Sequence, residues 1–137
     1  MTVKATARAE FRITNWDERS YAEFDGTEKL TRAITSQVYS GDLTGESRGD
    51  SLMYYGPADA PVSYVGLERF TCTVAGRTGT FAAQSQGTFA EGVATTTWFV
   101  VPGSGTGELV GLRGEGGYAT KGGDPAVAVT FDYYFQA

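Results

Sequence analysis

The sequence predicts an all-β protein, an eight-stranded antiparallel barrel closed on itself and spanning 1–137 as one domain. Three observations lead there. Apolar and polar residues alternate with the period of two that belongs to a half-buried strand, and no stretch repeats at helical spacing. Glycines, 19 in all, gather in short punctuating stretches such as "DGTE", "AGRTG", "AEGV" and "TKGGDP", which read as tight turns. The resulting meander, with one polar face, suits a small closed barrel, lipocalin-like in shape. A two-sheet sandwich is the alternative that the same pattern allows.

The first strand is the plainest. Val3, Ala5, Ala7, Ala9, Phe11 and Ile13 share one face, and Lys4, Thr6, Arg8, Glu10, Arg12 and Thr14 share the other. The odd-numbered set is the expected interior. "NWDERSYAEFDGTE" reads as a connection, with Trp16 off the strand's parity at its exit, as a rim or lid residue. A second strand follows over 29–40, and "SGDLTGESRGD" reads as another connection before a strand ending in "SLMYYG". Five more strands are expected near 62–75, 78–89, 93–101, 107–119 and 126–136. In "TTTWFVVP" either Trp98 or Phe99 must point inward.

With 11 basic residues against 16 acidic, net charge −5, neither nucleic acid nor an anionic membrane is an expected partner. No apolar run approaches the roughly 20 residues of a membrane span, and "MTVKATARAEF" lacks the apolar centre of a signal peptide. A single cysteine, Cys72, excludes an intrachain disulfide and suits the cytoplasm. There is no histidine, which removes Ser/His and Cys/His nucleophile systems and His-ligated zinc. Proton chemistry must then come from carboxylates, tyrosines, lysines or Cys72, and neither a metal nor a cofactor is expected.

The hairpin opened by "VSYVGLERFTCTVAG" carries the sharpest question. If Gly76-Arg77 is its two-residue turn, Cys72 faces Phe81, Phe70 faces Ala83 and Glu68 faces Ser85. One face then holds Tyr64, Gly66, Glu68, Phe70, Cys72, Phe81, Ala83, Ser85 and Phe89. This is the expected interior face, and it takes a carboxylate with it. An unpaired charge inside a barrel is costly. Glu68 is therefore half of an internal ion pair, with Arg32 or Arg113 as partner, or a polar group left to meet a ligand. Small inward residues, among them Ala5, Ala7, Ala9, Ala83, Ser85 and Gly87, leave room for one small molecule.

"VVPGSGTGELVGLRGEG" resembles the glycine-rich strand of the allene oxide cyclase and dirigent barrels. "GDL" at 41–43, "YVGLERF" at 64–70 and "FDYYF" at 131–135 follow in that superfamily's order. Within it, "WDE" at 16–18, "GLER" at 66–69 and "GSGTGEL" at 103–109 are similar to a bacterial family known only as a domain of unknown function. The glycines of "GSGTG" are not read as a phosphate loop, because no helix pattern and no Lys-Ser/Thr follows them. The resemblance implies a closed barrel with a lipophilic cavity. It also implies cofactor-free chemistry, in which the pocket holds a reactive chain in the folded shape that closes. Where the plant cyclases place a glutamate and an asparagine, this chain has "FRITNWDE", with Arg12 and Thr14 near those positions. A polyunsaturated, polyketide-like or fatty-acid-derived substrate other than an allene oxide is implied. The barrels it resembles assemble, so a homo-oligomer, dimer or trimer, is expected, with Gln37, Tyr39, Val65 and Leu67 facing outward.

The expected function is a cyclase or isomerase acting on a small hydrophobic molecule; the alternative is a non-catalytic carrier or sensor. Glu68 is the expected acid, base or cation stabiliser. Tyr133 shares a face with Val127, Val129, Phe131 and Phe135, so its hydroxyl needs an interior partner, a substrate oxygen or Glu68. Trp16, Tyr64, Phe70, Cys72, Phe81 and Trp98 are the expected substrate-binding residues, with plain core packing the alternative for Trp98 and Cys72. Glu18, Glu23, Glu46, Glu108 and Glu115 read as solvated charges.

Overall fold

The structure, a computed structural model, describes residues 4–136; Val3 lies outside the described residues. Eight antiparallel strands follow one another in sequence order around a closed barrel. They are β1 (Ala5–Glu23), β2 (Lys29–Gly41), β3 (Leu43–Tyr55), β4 (Val62–Val74), β5 (Arg77–Ala90), β6 (Val93–Val100), β7 (Leu112–Lys121) and β8 (Val127–Phe135). Pairing of β1 with β8, Ala5 opposite Tyr133 through Phe11 opposite Val127, closes the cylinder and removes the sandwich alternative. Among the described residues the helical content is one 3-10 turn, Gly107–Leu109. No helix among them is long and apolar enough to cross a membrane.

Two stretches that read as connections are strand. β1 runs on to Glu23 because Thr14 is bulged out between Ile13, opposite Gln37, and Asn15, opposite Ser36. A bulge of one residue exchanges the two faces of everything after it, so the even-numbered Trp16 and Glu18 inherit the interior side that Ala7, Ala9 and Phe11 occupy before it. β3 begins at Leu43, and its inward residues include Gly45, Ser47, Gly49 and Ser51. Such small side chains erase the apolar alternation that marks a strand.

The β4–β5 hairpin turns at Ala75-Gly76, both at positive φ (50° and 79°), the pairing of a two-residue type I′ turn. Phe70 therefore faces Phe81, Glu68 faces Ala83 and Cys72 faces Gly79. The expected register was displaced by two residues, which leaves every residue on its expected face. β7 starts at Leu112 rather than 107. The "GSGTGEL" segment instead lies along the start of β5. Thr106 N donates to Thr80 O at 2.8 Å and Thr80 N to Thr106 Oγ1 at 3.1 Å. Glu108 Oε1 accepts from Thr78 N at 3.1 Å. The Thr106 carbonyl sits where a β-carbon on Gly79 would be, so only glycine admits this crossing.

The two ends of the barrel differ. At the end where β1 begins, Phe70, Phe81, Phe131, Leu43, Val74, Leu109 and Leu112 are fully buried, and Phe70 stacks on Phe81 with ring centres 4.4 Å apart. This plug of aromatic and branched side chains is the hydrophobic core. On the β2 wall, Thr31, Ala33, Thr35 and Tyr39 are buried. Tyr39 and Gln37 thus face inward, correcting their expected place on the outer surface; the half-buried Leu30, Ile34 and Val38 take the outer side. Val65 and Leu67 do face outward, beside Leu52 and Phe99, all exposed. Trp98 is the inward member of its pair, and its indole covers Gly116, where a β-carbon would collide with the ring.

Candidate functional site

Toward the other end the inward positions shrink to Ala33, Thr35, Gly49, Ser51, Ser85 and Ala94, and the barrel is hollow. A cavity of about 440 Å³ opens there. Its walls combine rings (Phe11, Trp98, Tyr64 and Tyr118) with a polar stripe of Thr35, Gln37, Ser51 and Thr96, and Trp16, Tyr55 and Phe89 stand at its mouth. Phe11 meets Tyr39 and Tyr118 with ring centres 5.2 and 5.0 Å apart, and Tyr39 meets Phe70 at 5.1 Å. These rings separate the hollow from the plug beneath.

Glu68 belongs to this wall. Its Oε2 accepts the Tyr39 hydroxyl at 2.7 Å and the Ser47 hydroxyl at 2.5 Å, while no described residue donates to Oε1. Neither arginine considered as its partner reaches it. Arg32 pairs with Asp50 at 2.6 Å on the outer surface, and Arg113 donates to Gln136 at 2.8 Å. The internal ion pair is thereby overturned. Burial raises the carboxyl above its ordinary value of 4.5, and the two hydroxyl donors pull it back only in part. The Tyr39 phenol in turn is driven well above 10.0 by burial and by the neighbouring carboxylate.

The surrounding hydrogen bonds depend on the charge state of Glu68. Ser47 Oγ is also 3.0 Å from Gln37 Oε1, and Gln37 Nε2 donates to Thr35 Oγ1 at 2.7 Å. A serine has one proton to give. With Glu68 ionised, Ser47 gives it to the carboxylate; with Glu68 protonated, the acid can donate to Ser47, which passes its own proton to Gln37. Every group in this chain of hydrogen bonds is paired when Glu68 is protonated, whereas ionised Glu68 takes the Ser47 proton and leaves Gln37 Oε1 without that donor.

A second carboxylate, read as merely solvated, organises the mouth. Glu18 Oε2 accepts from Thr31 Oγ1 at 2.7 Å and from the Tyr55 hydroxyl, and Glu18 Oε1 accepts from Trp16 Nε1 at 3.1 Å. Burial works to raise Glu18, but these donors and the nearby Lys29 outweigh it and hold the carboxyl below 4.5. Tyr55 is pushed up to about 12 by burial and by Glu18. The bulge at Thr14, invisible to a period-of-two reading, is what turns Glu18 inward.

Of the residues expected at a site, Glu68, Trp16, Tyr64 and Trp98 meet around the cavity. Trp16 is at the mouth, half exposed, as a rim residue, and Tyr64 holds its hydroxyl 2.6 Å from Thr96 Oγ1. Phe70, Cys72 and Phe81 lie in the plug instead. Burial pushes the Cys72 thiol up to about 12, which leaves an inert core residue. Tyr133 is at the plugged end, packed between Phe131 and Phe135 at 5.3 and 6.1 Å. It lines no part of the cavity and does not meet Glu68. Tyr39, Ser47, Gln37 and Tyr118 were missed as site residues, although parity counted from Leu112 would have turned Tyr118 inward.

Comparison with known proteins bears on this arrangement. The DUF3224 family, described as proteins of unknown function, matches residues 7–133. The chain belongs to the DUF3224 family. A crystal structure of a protein with unknown function from the same family, from Shewanella oneidensis MR-1, superposes with a TM-score of 0.79 at 26% identity, covering 100% of both chains. No curated protein matches this chain. The match of this DUF3224 protein runs from the buried start of β1 to the last strand, so the plug, the cavity walls and Glu68 all lie inside it.

Proposed function

We propose that this DUF3224 protein binds one small, mainly apolar molecule inside the barrel, with Glu68 as the polar group that meets it. The observation behind this reading is a hollow of about 440 Å³, within the size range of small-molecule sites, whose wall holds a carboxylate without a cation. A barrel serving only as a scaffold would gain stability by filling the hollow and losing the charge. The resemblance of "YVGLERF" to allene oxide cyclase-like barrels is in keeping with this, since Tyr64 and Glu68 of that stretch line the hollow. On that kinship the bound molecule is held folded for ring closure or double-bond migration, with Glu68 giving up a proton at one atom and recovering it from another.

A carrier without chemistry is the second reading. It is favoured by the placement of Tyr133 at the plugged end, which takes one of the two expected catalytic groups away from the cavity. Titration with the neutral fluorophore N-phenylnaphthylamine tests the shared part. Saturable binding of one molecule per chain is expected, and Ala94→Trp, which fills the hollow, should weaken it by about tenfold or more. Equal binding by both proteins would overturn the reading. Turnover of polyunsaturated or polyketide-like compounds that is abolished in Glu68→Gln would then separate the enzyme from the carrier.

A further inference from the structure

The charges around the hollow define which apolar molecules it can take. Among the described residues that line it there is no lysine or arginine, and Glu68 is the one carboxylate. Lys29, a cation at the mouth, lies 4.8 Å over the Tyr55 ring and its charge acts on Glu18. The groups that face Glu68 are Tyr39 from β2, Ser47 from β3 and Tyr118 from β7, all uncharged at neutral pH. No cation among the described residues pairs with this carboxylate, and its Oε1 takes no hydrogen bond from them. The rings of Phe11, Trp98 and Tyr118 share the same wall, and aromatic faces attract cations.

We propose that the cavity selects a lipophilic amine, held as its ammonium cation between Glu68 Oε1 and the aromatic wall, and that it rejects carboxylates such as free fatty acids. This rests on the reading that the hollow holds a small apolar molecule, and it narrows the substrate class. An ammonium supplies the counterion that the fold withholds. A fatty-acid anion would place a second negative charge beside the first with no cation to receive it, a cost that works as discrimination.

Calorimetric titration of the intact protein at neutral pH with decylamine, decanol and decanoate tests this, because one chain length carries three charges. Decylamine should bind about tenfold tighter than decanol or better, and decanoate about tenfold weaker or worse. Glu68→Gln should bring the amine and the alcohol within about threefold, whereas Glu115→Gln, which removes one outward carboxylate, should leave the gap intact. If Glu68→Gln does not fold, acidifying the wild type through the titration of Glu68 must narrow the gap instead. Binding of decanol without preference for the amine, or a preference that survives loss of the Glu68 charge, would overturn the proposal and leave the apolar cavity standing. Failure of all three probes to bind would overturn both.

Discussion

The Tyr39 hydroxyl donates to Glu68 Oε2 across 2.7 Å, joining β2 to β4 over the intervening β3. Ser47 on β3 completes the contact from between them. Three neighbouring strands thus turn their polar side chains toward one carboxylate at the boundary between plug and hollow. Buried polar groups are satisfied there without a positive charge, and this is the arrangement on which the functional reading turns.

Glu68→Gln keeps an oxygen that can accept from Tyr39 and Ser47 while removing the charge. Its stability should equal or exceed that of the wild type in denaturant melts. Glu68→Ala strands both donors and should cost about 1–3 kcal/mol. A loss of about 3–5 kcal/mol in Glu68→Gln would mean that a cation had been left behind.

Glu68 in the hollow and Glu18 at its mouth should give opposite pH signatures. Glu68 is raised in the folded state, so its contribution to stability is full below the unfolded value near 4.5 and is lost as pH rises through the folded value. Glu18 is lowered, so its contribution is present above 4.5 and is lost as pH falls through its folded value. Relative to wild type, Glu68→Gln should therefore gain stability on going from acid to neutral pH, and Glu18→Gln should lose it. Melting curves across this range that move the two variants in the same direction would contradict the assignment.

Gly116 is glycine for reasons of space, since the Trp98 indole lies where its β-carbon would be. Gly116→Ala should displace the indole and cost about 1–3 kcal/mol, with a changed near-ultraviolet dichroism of tryptophan. An unchanged spectrum and stability would show that the indole is not packed on this strand.

Leu52, Val65, Leu67 and Phe99 form an exposed apolar strip beside the Arg32–Asp50 pair. A surface carrying both signs of charge can meet its own copy without the repulsion that a net charge of −5 would otherwise bring. We propose a second copy of the chain as its occupant. Sedimentation should give a dimer that Leu67→Glu dissociates; a wild-type monomer at micromolar concentration would contradict this.

Where the sequence was legible, apolar side chains fill the interior. Ala7, Ala9 and Phe11 on β1, Phe70 and Phe81 across the hairpin, and Phe131 on β8 alternate because they form the plug. Around the hollow the same logic fails for a physical reason. A cavity exists because its inward residues are small or polar, so β3, with Gly45, Ser47, Gly49 and Ser51 inward, read as a loop. β2 misled for the complementary reason. Its outer residues Leu30, Ile34 and Val38 are more apolar than the inner Thr31, Thr35 and Gln37, which placed Tyr39 outside. Glu68 was found because it interrupts an aromatic face, and Glu18 was overlooked because a bulge turns it inward.

The central claim is that Glu68 is a carboxyl without a counterion, open to the barrel's hollow. Its carboxyl carbon can be followed directly by nuclear magnetic resonance during a pH titration, first free and then with the cavity filled by decanol or by decylamine. The free protein should titrate above the ordinary 4.5, decanol should drive the value further up by excluding water, and decylamine should bring it down. A Glu68 that titrates at or below 4.5 and ignores both compounds would contradict the account.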